Sequence, residues 1–263
     1  MFALESEVPA RKIVMAAFNQ GAVPTIACIN SATVDLGVDF DKLISALQKF
    51  LDECFVPIWG TPAKLVKATK PLSDAWTIVF LDDADAPGAL GYHDLTKNGL
   101  PLSKIFVKTT LKIGDKVSVT ACHELAEMMV DPAVNLWVDG PLGTMYAYEM
   151  CDAVEEEEFS IDGIAMSDFV YPAYFEGFRK PNSVQFDYLK KVTKPFQILK
   201  GGYSLVRKGT KIQQVFGSKA KEKKFLMEDR TEHRSQYRIA MLKQKPGNTA
   251  KLRATKATSP AIG

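Results

Sequence analysis

Short apolar runs separated by polar punctuation predict an α/β front half for this chain. Residues 11–19 (RKIVMAAFN) and 23–30 (VPTIACIN) have the dense apolar composition of strands. From residue 39 to residue 53, Phe40, Leu43, Ile44, Leu47, Phe50 and Leu51 recur at helical spacing, and Pro57 is expected to stop that helix. Residues 76–81 (WTIVFL) suit a central strand, which gives way to a loop at DDADAPGALG, residues 82–91. A turn at Asn98-Gly99 leads to an alternating strand expected over residues 105–111. Asp115 is then placed to cap a helix through VSVTACHELAEMMV, residues 117–130, which Asp131-Pro132 blocks from continuing. The glycine pair and alternating runs of KGGYSLVRKGTKIQQVF, residues 200–216, predict a closing hairpin. No internal repeat is present.

At 263 residues with 46% hydrophobic content, the chain can bury a substantial core. It lacks any run of about 18 apolar residues, and its start, MFALESEVPARK, lacks the layout of a signal peptide, so a soluble protein retained in the cytoplasm or packaged from there, with no membrane contact, is expected. Cys28, Cys54, Cys122 and Cys151 are widely spaced in apolar surroundings without a CxxC pair, the pattern of small buried hydrophobes. Charge divides the chain: residues 201–263 hold 15 Lys and Arg against 4 Asp and Glu, a net +11, which leaves −9 for residues 1–200. The expected division is therefore a domain over residues 1–206 and a basic extension over residues 207–263. That arm reads either as a solvated tail or as a segment that lies on other protein subunits, with an unspecific nucleic-acid contact as the alternative partner.

The predicted helix over residues 117–130 carries the candidate chemistry. His123 and Glu127 are four residues apart and share one face, a turn apart, while Leu125 and Met129 can anchor the helix in the core. This is the layout of a metal-binding helix in which Glu127 stands where a second histidine is usual. Glu124, beside the first ligand, is placed to take a proton from a metal-bound water as general base. An oxygen ligand still suits zinc but selects it less sharply over manganese or calcium. Downstream, in YAYEMCDAVEEEEF, Glu149 and Asp152 lie among apolar and aromatic neighbours, and buried carboxylates need partners. Glu149 is the expected third ligand and Asp152 the support that orients His123, with Asp131 as the competing ligand. The run Glu155 to Glu158 reads as a solvated turn before a strand at FSIDG. His93, in GYHDL, reads as a loop residue that could reach the cleft as an electrophile or proton donor. His233 reads as a surface residue of the basic stretch. Tyr203 is a further side chain that could point into the cleft.

SVTACHELAEMMVDP, YEMCDAVEEEEFSIDGIAMSDFVYPAYF and PFQILKGGYSL together resemble a family of uncharacterised bacterial and bacteriophage proteins, over roughly residues 75–206. The resemblance implies a zincin-like fold: a small mixed sheet whose edge strand, expected over residues 105–111, overlies the helix that bears the ligands. It implies a metal-dependent, peptidase-like site acting on a peptide substrate, and a place among virion structural genes for some members. P-loop, Rossmann glycine and serine-elbow motifs are all missing, which argues against nucleotide, dinucleotide and serine-hydrolase chemistry. Two functions follow as expectations. One is a metal-dependent hydrolase with His123, Glu127 and Glu149 as ligands. The other is a virion or assembly protein that keeps the domain as a folded block and grips its neighbours through the basic arm.

Overall fold

The computed structural model describes residues 23–86 and 88–227. The strand expected over residues 11–19, His233 and the arm from residue 228 onward lie outside the described residues. Those described form an α+β fold of three sheets and interleaved helices.

The largest sheet has five strands: β1 (Thr25–Asn30), β2 (Lys64–Ala68), β3 (Trp76–Leu81), β4 (Gly91–Leu95) and β5 (Pro101–Phe106). Their order is β2-β1-β3-β5-β4; the first four run parallel, and β4 is antiparallel to β5 and forms one edge, with β2 at the other. β1 and β3 are nearly continuous apolar runs because both of their faces are covered. Asn98-Gly99 turns β4 into β5, with Gly99 at φ 77°.

The helix expected from residue 39 is α1 (Phe40–Lys49), capped by the Asp39 carboxylate, which accepts from the Lys42 amide at 2.9 Å. It runs on through a π-helical turn, Phe50–Phe55, into α2 (Val56–Trp59). Pro57 therefore does not stop the helix. It falls in the first turn of α2, where its missing N–H goes undemanded, and Gly60 ends the helix at φ 76°.

The strand expected over residues 105–111 is also corrected. β5 pairs with β3 from Thr77↔Leu102 to Leu81↔Phe106, so it ends where β3 ends, and α3 (Val107–Lys112) follows. Thr110 stabilises that turn by donating its hydroxyl to the Phe106 carbonyl, 2.9 Å away. The edge strand is accordingly β4.

α4 (Val117–Val130) ends before Asp131-Pro132 as expected, but Lys116 rather than Asp115 occupies its N-cap. Twelve of its fourteen residues are buried, which makes α4 a central helix packed on β4 and β5 and on β9 (Ile164–Ser167). β9 forms a hairpin with β8 (Glu158–Ile161). A four-stranded antiparallel sheet in the order β11-β10-β7-β6 completes the fold, from β6 (Trp137–Asp139), β7 (Met145–Ala147), β10 (Tyr203–Lys208) and β11 (Lys211–Phe216). The closing hairpin is thus β10 and β11, and α5 (Lys219–Met227) follows it. The boundary expected at residue 206 lies within β10. All four cysteines are free and buried, and burial raises the Cys28 thiol to about 12.

One buried acid pair lies away from the helix ligands. Asp168 accepts from the Phe169 and Leu189 amides at 2.8 and 3.2 Å, while Asp187 accepts from Lys191 and Val192 at 2.9 Å each. Burial, then the facing Asp187, pushes Asp168 up to about 8. A carboxyl group raised above its unfolded value, ordinarily near 4, stabilises the fold fully at low pH. That contribution drains away as the pH climbs toward and through 8. The melting temperature of the protein relative to Asp168→Asn is therefore expected to fall from pH 5 to pH 9. Parallel melting curves across that range would refute the raised Asp168.

Candidate metal centre

α4 presents His123, Glu124 and Glu127 from within the core rather than from its surface, since they are 8%, 6% and 0% exposed. Glu127 Oε1 lies 3.2 Å from His123 Nε2 and accepts from the Cys151 amide, also at 3.2 Å. Asp152 Oδ1 approaches the same His123 nitrogen at 3.4 Å. Two ligand atoms on one zinc with arms of about 2.1 Å lie roughly 3.4 Å apart, so these separations suit a shared ion. Asp152 comes from the 3₁₀ turn Asp152–Val154, and Glu149 from the loop just before it.

His93 is a strand residue, contrary to the loop expected. It is the one buried position of β4, and it faces α4. Its Nδ1 lies 3.5 Å from Glu124 Oε2 and 3.8 Å from Glu127 Oε2, and its Nε2 lies 3.9 Å from Glu149 Oε2. Glu149 therefore meets His93, while Asp152 meets His123. Ser103, opposite His93 on β5, fastens this corner by donating to the Glu124 carbonyl at 3.2 Å. Gly91 lets β4 come this close. A Cβ there would sit 2.9 Å from Glu124 Cγ and 3.0 Å from Thr120 Cγ2.

Asp131 has a different setting. Its carboxylate accepts from the Asn135 and Leu136 amides at 3.0 and 2.9 Å and holds the turn after α4. Glu155 to Glu158 form ion pairs with distant lysines: Glu155 and Glu156 with Lys221 at 2.7 and 3.1 Å, Glu157 with Lys191, and Glu158 with Lys116. Glu155 and Glu156 form the turn expected before the strand, which begins at Glu158, and Glu156 and Glu158 are exposed, while the buried Lys221 encloses the Glu155 side of it.

Burial alone would lower the His93 pKa, but Glu149, Glu124 and Glu127 outweigh it and hold the ring up to about 9. His123 is also raised, against burial, by Glu127 and Asp152. Desolvation pushes Glu127 up to about 7 despite His123 beside it. His93 Nε2, Glu124 Oε2 and Glu127 Oε2 have no hydrogen-bond partner among the described residues. Buried polar atoms normally have partners, and a cluster of histidine nitrogens and carboxylate oxygens in this state suits a divalent cation. Two groups have donor atoms mutually within 4.8 Å: His123, Glu124 and Glu127, and His93, Glu127 and Glu149.

A cleft of about 210 Å³ opens onto His123 and Glu124. Its walls include Leu90 and Gly91 at the start of β4, Thr120 of α4, Glu155, Tyr203 and Lys221. Tyr203 thus lines the cleft. No family model, curated protein or solved structure matches the chain. Among the described residues no helix is long and apolar enough to cross a membrane.

Proposed function

We propose that the protein is a metal-dependent hydrolase of peptidase type, with zinc as the preferred ion and manganese or calcium as alternatives. The observation that carries this reading is the set of unpartnered, buried donor atoms on His93, Glu124 and Glu127, beside a cleft that reaches His123 and Glu124. His123 and Glu127 would hold the ion, with Asp152 or Glu149 completing the set. When bound, such an ion supplies Lewis acidity toward a carbonyl oxygen and acidifies water. Glu124, at the cleft wall, accepts and returns the proton. β4 pairs only with β5 among the described residues, so its outer edge can hydrogen-bond an extended peptide alongside the cleft. An antiparallel edge strand lying over the ligand helix also supports the zincin-like resemblance.

A second reading, an assembly protein of a bacteriophage virion that keeps the domain as a folded block, is favoured by the net +11 of residues 201–263. In that case the basic extension grips neighbouring subunits. Metal content by mass spectrometry on protein prepared without chelators, followed by digestion of an unbiased peptide mixture, separates the two. About one or more equivalents of zinc together with cleavage is the expected result. Metal without cleavage turns the reading toward assembly, and a metal-free protein with normal folding removes the metal centre from both.

A further inference from the structure

The four carboxylates around the two histidines are poorly matched to a single ion. Glu124, Glu127, Glu149 and Asp152 are all at most 6% exposed and together carry four negative charges when ionised. One divalent ion on a neutral His123, with His93 left protonated, would still leave one of those charges uncompensated in a desolvated site, at a high energetic cost. Two divalent ions balance them.

Glu127 is also oriented as a bridge. Its Oε1 lies 3.2 Å from His123 Nε2, and its Oε2 is turned to the other side, 3.8 Å from His93 Nδ1, so one carboxylate presents a separate oxygen toward each histidine. The two candidate ligand groups share only this residue. The second group has its own unpartnered donor: His93 is 3% exposed, and its Nε2 is directed at Glu149 Oε2, 3.9 Å away. Glu124, 3.5 Å from the other ring nitrogen, is placed to accept its N–H and so fix the tautomer that leaves Nε2 bare for a metal.

We propose that the protein holds a pair of divalent cations bridged by Glu127, the first on the His123 side with Asp152 and the second between His93 and Glu149. This rests on the metal-centre reading and extends it with a second site. The strand histidine supplies the imidazole that α4 lacks, but to a neighbouring ion. Paired ions about 3.5–4 Å apart are the arrangement that clamps both the attacking and the leaving oxygen in hydrolysis of phosphate esters and of peptides at a chain terminus. Amino-terminal peptide cleavage is the activity of this class that agrees with a peptidase.

The test is metal stoichiometry on the full chain, stripped with chelator, reloaded with zinc and freed of excess. Two zinc ions per chain are expected for the wild type, and one for His93→Gln and for Glu149→Gln. Glu149→Gln preserves side-chain volume, so it provides the answer if the histidine variant fails to fold. One ion in the wild type, unchanged in both variants, overturns the second site and leaves the single-ion reading intact. Two ions in the wild type and in both variants also overturn it, since the second ion would then lie elsewhere. No zinc in the wild type removes both readings.

Discussion

Stripping the metal is expected to lower the melting temperature by about 8 to 16 °C, and His123→Ala or Glu127→Ala should melt low with no further response to chelator. An ion that binds only the folded state at about a thousand times its dissociation constant contributes roughly 4 kcal/mol. In a domain of about 200 residues each kcal/mol moves the midpoint by roughly 2–4 °C. The metal-free fold must also keep Glu127, Glu149 and Asp152 buried together, which costs stability unless protons replace the ion. The raised positions of His93, near 9, and Glu127, near 7, describe that protonated state. Metal has to displace those protons, so its affinity rises with pH up to about 9, and the chelator-induced shift should be larger at pH 8 than at pH 6. Differential scanning fluorimetry with and without chelator at the two pH values measures both effects. An unchanged midpoint at both would show that the buried cluster stabilises itself without an ion.

The parts of this site that were legible in the sequence are those set by local spacing. His123, Glu124 and Glu127 follow from helical periodicity, and the Asp131-Pro132 stop and the β10–β11 hairpin follow from local chain chemistry. What was not legible depends on pairings between distant segments. Residues 105–111 alternate like a strand, yet β5 stops at Phe106 because β3, its parallel partner, stops at Leu81. His93 could have been found by treating Asn98-Gly99 as the turn of a hairpin with strands on both sides. The pairing His93↔Ser103 then places it on the face toward α4. Spacing likewise put Glu149 and Asp152 at the site, but the 3₁₀ turn between Asp152 and Val154 decides which histidine each one meets. The ion pairs of Glu155 and Glu156 with Lys221 bridge more than sixty positions, beyond the reach of any local pattern.

Glu124→Gln is expected to reduce peptide cleavage by a factor of roughly 10²–10⁴, about 3–5 kcal/mol at the transition state, while metal content and melting temperature stay near those of the wild type. Glutamine keeps the length of the side chain and its place in the cleft wall but cannot accept a proton. The native carboxylate lines the cleft, with the His93 Nδ1 3.5 Å from its Oε2, and glutamine can still accept from that ring through its amide oxygen. Its backbone carbonyl, not its carboxylate, accepts from Ser103, so the substitution leaves that fastening of α4 to β5 in place. A proton-transfer role predicts loss in the maximal rate with little change in KM, because the carboxylate would act on the reacting groups rather than on the peptide edge proposed for β4. Loss of bound zinc in Glu124→Gln would instead make this residue a ligand of the His123 group, whose donor atoms it already approaches within 4.8 Å. Full activity with full zinc would move the base to another group at the cleft, and Glu155, which lines the same cavity, is the next carboxylate to replace.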